Sequence, residues 1–513
     1  MSRVVVIGAG VGGLAVAIRL AEAGHDVVVH ERAAVAGGKL GVHERDGYRF
    51  DTGPSLLTLP QVFEELGLGL TPQPLDPVVR HVFRDGTVLD SSSDPEVFRH
   101  RIAAAFGPAA AADWSSFWAR AERIWRASWG SVLRRPVTPA TLLRLSWRLP
   151  ALRAIAPGTT LRGLGRRHLR DPRLRMLLDR YATYTGADPR RAPAALAAIP
   201  YAELAFGGWY LPGGLGRIAE ALVRRAREAG VTVVLESPVA GITHTGTDAA
   251  PAHSYPALAE PRAGEEPGAG RGRRGRPRVT GVRLDSGDVV PADIAVSNVD
   301  ALTTYRDLLP TPDRLARLTD RSLAGFVLLL GVRGGTPALA HHTVFFPQHY
   351  DGEFDAIFGD PGRGRRARPA DDPAIFVTRA DDPAVHPEGG EAWFVLVNAP
   401  PHGHDWNSVN WRRPGLAEAY RDRILALLAA RGLEVRDRLA FAEIRTPADL
   451  AESAGAPGGA IYGTAGGLLR PANRGPIDGL YLVGGSTHPG GGLPMVTLSA
   501  RIVADLIPAP TGR

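Results

Sequence analysis

VVVIGAGVGGLAVAIRLAEAGHDVVVHE, residues 4–31, is the stretch on which the fold of this 513-residue chain turns. Val4–Ile7 is a short unbroken apolar run, as expected of a strand buried on both faces. Gly8, Gly10 and Gly13 follow in G-x-G-x-x-G spacing. The first permits a tight turn, the second lets main chain approach a pyrophosphate, and the third allows close helix–strand packing. Leu14, Ala17, Ile18, Leu20 and Ala21 then repeat with a helical period, and Gly24 ends the helix. Val27–Val29 form a second buried strand that leads to Glu31, where a carboxylate can accept hydrogen bonds from ribose hydroxyls. A glycine triplet alone is a weak signal. Strand, glycines, helix and acid in register predict a dinucleotide site, with the diphosphate on the helix N-terminus.

Outward from this unit, Gly37-Gly38-Lys39 is a second glycine turn that can reach the same pyrophosphate, which favours FAD over NAD. Lys39 is expected near the phosphates, the alternative being a solvated surface cation. Phe50-Asp51-Thr52-Gly53-Pro54-Ser55 follows, and Thr52, Gly53 and Pro54 are expected against the flavin end. By residue type Asp51 is a candidate acid/base, or a cap for the turn after it. Val239, opening a predicted strand over 239–242, is a further cofactor contact. Near the other terminus, residues 484–494 read GGSTHPGGGLP before a helix expected over 496–506. Gly484, Gly485, Ser486, Gly492, Leu493, Pro494, Met495 and Val496 are candidate contacts there. So side-chain-poor a loop lets backbone approach a ring system, and the helix N-terminus favours negative charge on the flavin. His488 is the only imidazole in the loop, suited to proton transfer or to a structural hydrogen bond.

Chain length favours two connected domains over one core. The cofactor domain is expected from residues 1–93, 213–300 and 441–513, and a substrate domain from 94–212, a helical cap, and 301–440. The fold class is therefore α/β: a Rossmann-like domain built from separated segments, with an α+β substrate domain. Residues 246–278, rich in Pro, Gly and charge, are expected to be a disordered, dispensable hairpin loop. Zero cysteines exclude disulfides, iron–sulfur ligation and a cysteinyl flavin bond, and no metal site is expected. The net charge of +7 is carried by arginine, Lys39 being the single lysine. These cations are scattered without interleaved stacking aromatics, so coding bias accounts for them better than nucleic-acid binding does. No run of about 18 apolar residues is present to span a membrane, and Met1-Ser2-Arg3 leads straight into the first strand, with no cleavable segment.

VVVIGAGVGGLAVAIRLAEAGHDVVVHERAAVAGGKLG, FDTGPSLLTLP and GLYLVGGSTHPGGGLPMV together resemble the carotenoid (phytoene-type) desaturase family of FAD-dependent oxidoreductases. Residues 181–186 (YATYTG) and 207–214 (GGWYLPGG) extend the likeness, and the middle of the chain is closer to hydroxycarotenoid 3,4-desaturases. In one departure, Ser486 stands where related flavoproteins often carry Asp or Glu, which argues against a generic amine oxidase. The resemblance implies noncovalent FAD, a lipophilic polyene substrate, and oxygen or a quinone as electron acceptor. It further implies a cytoplasmic enzyme peripheral to the inner membrane face. Leu142, Leu143, Leu145, Trp147, Leu149 and Leu152, mixed with Arg144, Arg148 and Arg153, suit a membrane interface or a tunnel cover. Alternatives are a polyene saturase or isomerase, an amine oxidase, and a cofactor-free prenyl-binding escort, which the intact glycines oppose.

Overall fold

The computed structural model describes residues 1–138, 155, 158–245, 276–316, 318–464 and 470–510. The opening unit forms β1 (Arg3–Ile7), α1 (Val11–Glu22) and β2 (Asp26–His30). β1 lies mid-sheet in a five-stranded parallel array ordered Thr232–Val234, β2, β1, Ile294–Ser297, Leu480–Leu482. Its continuous apolar run is explained by two covered faces. Val4 and Val6 point into the core shared with α1, whereas Val5 and Ile7 join Ile242, Val282 and Tyr305 on the opposite side. Each fully buried valine contributes roughly 1.5–3 kcal/mol. Helices Gly216–Glu228 and Leu493–Leu506 flank α1. Strands drawn from both ends of the chain thus make one sheet.

A seven-stranded sheet forms the second layer, ordered Leu439–Arg445, Ala324–Arg333, Gly390–Ala399, Ile375–Arg379, His342–Phe345, Arg80–Val82, Val88–Asp90. It is antiparallel except where His342–Phe345 meets Arg80–Val82. Two expected boundaries move as a result. Strands Arg80–Val82 and Val88–Asp90, within the expected first cofactor segment, extend this sheet instead, and the strand from Leu439 crosses the division at 440. Three-residue strands carry too little periodicity to show which sheet they extend. A hairpin of Val42–Arg45 and Tyr48–Asp51 packs Tyr48 and Phe50 on Phe394 and Phe441 of this sheet, tying it to the glycine turns.

The described residues between 95 and 206 are largely helical, as expected of a helical cap. Asp94 caps the first helix (Pro95–Phe106) by accepting from the N–H groups of Glu96 and Val97. The long helix Pro108–Ser128 buries Trp114, Phe117 and Trp125 on one face and ends in a π-helical turn over Trp129–Leu133. Leu161–His168, Pro172–Thr183 and Ala198–Phe206 complete the layer. The expected interfacial residues 142–153 lie outside the described residues, as do 246–275 of the expected loop. The strands flanking that loop do pair: Val239–His244 is antiparallel to Val279–Leu284. Arg278, at the end of the expected loop, abuts this ladder: its carbonyl accepts from the Thr245 N–H at 2.8 Å, and its N–H donates to Thr245 Oγ1 at 2.9 Å.

Candidate active site

The first glycine turn sits at the carboxyl edge of the parallel sheet, where open α/β sheets bind ligands. Gly8 has φ of +96°, which a side chain would strain, and its N–H donates to the His30 carbonyl at 2.8 Å. A Cβ on Gly13 would stand 2.1 Å from the Gly8 carbonyl oxygen, so the third glycine is required by the turn itself. Gly37 donates its N–H to Ala9 at 2.9 Å, which brings the second glycine turn against the first. Glu31 directly follows β2 as a buried carboxylate, accepting from the Ala9 N–H at 2.7 Å and the Ala33 N–H at 2.9 Å. Each oxygen keeps a further lone pair, and Glu31 lines the adjoining cavity. Main-chain turns, an acid and a helix N-terminus fit the diphosphate and ribose of a flavin dinucleotide.

The carboxy-terminal loop meets this turn directly. Asn298 fills the seam: a Cβ on Gly10 would lie 2.6 Å from its Nδ2, and one on Gly484 2.8 Å from its Oδ1. Sequence reasoning missed Asn298, which follows the strand Ile294–Ser297; only the strand order reveals that this strand ends beside β1. Ser486, in the position expected to touch the ribitol, is buried and accepts from the Ala301 N–H at 2.9 Å. The Tyr462 ring lies on Gly491, where a Cβ would come within 2.4 Å of it. The final helix starts at Leu493, three residues before expectation, because Pro494 is compatible with a first turn. Thr52, Gly53, Pro54, Val239 and residues 492–496 all line the same cavity.

Three expected roles change. Asp51 accepts from the N–H groups of Leu215 at 2.7 Å and Gly216 at 2.8 Å. It therefore caps the distant helix Gly216–Glu228, and not the turn after it. Burial raises its pKa, and it does not line the cavity, so no substrate proton is within its reach. Lys39 lines the cavity beside the glycine turns, and its Nζ donates to the carbonyls of Ala460 at 3.0 Å and Ile461 at 2.6 Å. Burial lowers its pKa to about 8, against the opposing charge of Asp300. His488 Nε2 faces the carbonyls of Val132 at 3.1 Å and Arg135 at 2.9 Å. Two acceptors fix the proton on Nε2. Burial lowers the His488 pKa, so the ring is neutral and pins the loop to the helical layer.

From the glycine turns one cavity of about 1220 Å³ continues past Tyr462 to an apolar chamber walled by Trp125, Leu133, Ile155, Ile199, Phe376 and Leu396. A single small-molecule site usually occupies ~300–1,000 Å³, so there is room for a dinucleotide and a second ligand. Arg180 and Glu203, which the sequence reading passed over, are charged residues on the wall of the chamber. No group of three or more potential metal ligands occurs among the described residues.

Residues 11–253 match the family described as flavin containing amine oxidoreductases. The chain is 32% identical over 531 residues to a 4,4'-diapolycopene oxygenase of Methylomonas sp., covering 99% of this chain and 98% of that protein. It is 29% identical over 530 residues to a 1-hydroxycarotenoid 3,4-desaturase of Flavobacterium sp., covering 99% of each. An oxidoreductase structure from Methanosarcina mazei superposes with a TM-score of 0.60 at 15% identity, over 98% of this chain and 100% of that one.

Proposed function

This chain belongs to the family of carotenoid-modifying flavin oxidoreductases, and from that premise we propose that it desaturates a long polyene with noncovalently held FAD. The observation that carries the reading is the single cavity joining the nucleotide cradle to the apolar chamber. Flavin, when bound, supplies the two-electron oxidant for an allylic carbon–hydrogen bond. The chain's own work is positioning. Gly8, Gly10 and Gly37 present main chain to the diphosphate, and Glu31 offers lone pairs to the ribose. Trp125, Ile199 and Phe376 exclude water and hold an extended hydrocarbon in one orientation. Neither His488, held as a tether, nor Asp51, held as a cap, is placed to take the proton.

A polyene reaches such a chamber from a lipid phase, so we place the enzyme at the cytoplasmic face of a membrane, with oxygen or a quinone as final acceptor. No helix among the described residues is long and apolar enough to cross a bilayer. The relative named as an oxygenase favours a second reading, insertion of oxygen on the same scaffold. Incubation of FAD-loaded enzyme with carotenes in liposomes separates the two by product mass. Loss of two hydrogens is expected; gain of oxygen selects the second reading, and an unchanged polyene rejects both.

A further inference from the structure

Residues 460–464 pack against the carboxy-terminal loop: a Cβ on Gly463 would lie 2.6 Å from that of Ser486, and the Tyr462 ring lies on Gly491. Two cations grip this segment through its carbonyls. Lys39 Nζ donates to those of Ala460 and Ile461, and Arg470 Nη1 to those of Tyr462 and Thr464 at 2.6 Å each. Arg470 also reaches the loop itself, where a Cβ on Gly490 would be 3.9 Å from its Nε. A third cation, Arg321, forms a backbone bridge with Thr464 and sends its guanidinium to Asp300 at 2.8 Å. Asp300 precedes Ala301, whose N–H donates to the Ser486 hydroxyl. Lys39, Arg470 and Asp300 all line the cavity. Arg321 and Asp300 cancel each other, and no carboxylate among the described residues lies within 4.0 Å of Lys39 or Arg470. Two positive charges are left to main-chain dipoles alone.

Burying a charge without a counter-ion is costly. Burial accordingly lowers the pKa of Lys39 to about 8 and that of Arg470 to about 10. The balancing negative charge has to enter through the cavity. A dinucleotide brings its diphosphate, for which the glycine turns and the first helix N-terminus already provide. Hydride transfer brings another. The allylic carbon–hydrogen bond breaks, the hydrogen passes to the flavin with both electrons, and the ring system gains one negative charge. The substrate, left cationic, then sheds a proton to water as the new double bond forms. We propose that Lys39 and Arg470, backed by the Arg321–Asp300 pair, raise the reduction potential of the bound flavin by stabilising its reduced, anionic form. This rests on flavin being the oxidant, as in the desaturase reading above.

Anaerobic titration of the FAD-loaded protein against redox dyes gives the midpoint potential. Sulfite, which adds to oxidised flavin and leaves negative charge on the ring, gives an independent reading from flavin absorbance. Lys39→Gln keeps an N–H for the carbonyls but removes the charge, whereas Lys39→Arg keeps both. The glutamine variant should cut the ratio of reduced to oxidised flavin at a set potential roughly tenfold, which is ~30 mV for a two-electron couple. Its sulfite dissociation constant should rise by a similar factor, with Lys39→Arg within about threefold of wild type on both measures. An unchanged potential overturns the proposal, and weakened FAD retention beside it gives the charge to the diphosphate instead. Where the variant holds no flavin, the unmodified protein decides: its flavin should be reduced more easily than free FAD, and a potential at or below that of free FAD overturns the assignment. Neither measurement uses a polyene. The expected shifts in a protein that leaves every carotene unchanged in mass would keep this inference and reject the desaturase reading.

Discussion

Where the cavity meets the parallel sheet its wall is main chain: Gly8, Gly10, Gly37 and Gly484 approach so closely that Asn298 touches two of them at once. Where it meets the helical layer and the seven-stranded sheet its wall is side chain, supplied by Trp125, Ile199 and Phe376 from residues far apart in sequence. Main chain can cradle a diphosphate through N–H groups common to every residue, provided nothing projects from the Cα. A chamber for a hydrocarbon needs volume and shape, which many apolar side chains can provide. The first end should therefore fail on a single added methyl, and the second should tolerate substitution and alter selectivity instead.

Gly13→Ala tests the intolerant end hardest. Its new Cβ would be 2.1 Å from a carbonyl oxygen of the same turn, so the main chain itself must move. Overpacking of this kind costs ~1–3 kcal/mol or more, and the displaced atoms belong to the turn proposed to cradle the diphosphate. The purified variant should be colourless, with flavin absorbance below about a tenth of the stoichiometric value. A yellow, fully loaded variant would break the contrast between the two ends.

Glu31→Ala is the next effect in size. It strips the Ala9 and Ala33 N–H groups of their acceptor and removes the carboxylate from the ribose position. Each orphaned buried group costs ~1–3 kcal/mol, which corresponds to ~10–100-fold weaker FAD binding in a titration of apoprotein. Selectivity among polyenes, measured with FAD in excess, should be unchanged, since Glu31 does not reach the chamber wall around Phe376. A change in selectivity with undiminished FAD affinity would invert the assignment of the two ends.

The same contrast explains what could be read in advance. The cofactor end was legible because each glycine answers a local demand of the turn, and such demands repeat along the sequence. Paired strands 239–244 and 279–284 were legible from their apolar runs on either side of residues 246–275. Asn298, Tyr462 and Glu203 were not, because each acquires its role from a partner more than 15 residues away, through strand order or helix packing. Asp51 shows the opposite error. Its position beside the cofactor loops suggested chemistry, yet a long-range partner at Leu215 had already claimed its charge.

His488→Gln gives the smallest effect and tests the joint between the two ends. Its Nε2–H holds the carbonyls of Val132 and Arg135 on the helical layer, a contact worth about 1 kcal/mol. Because burial lowers the folded-state pKa below 6.5, the unfolded chain binds a proton that the folded chain refuses as pH falls under that value. The stability of the wild type thus rises with pH across that window and is lost below it. Glutamine can present an N–H to the same carbonyls but does not titrate. Its thermal midpoint should fall slightly short of wild type at pH 8, and the gap should close or reverse toward pH 5. The pH profile of kcat should be the same for both proteins. An inflection near pH 6.5 that disappears in the variant would restore His488 to proton transfer, and the chamber would then hold a titrating group at the cofactor loop where we find only a tether.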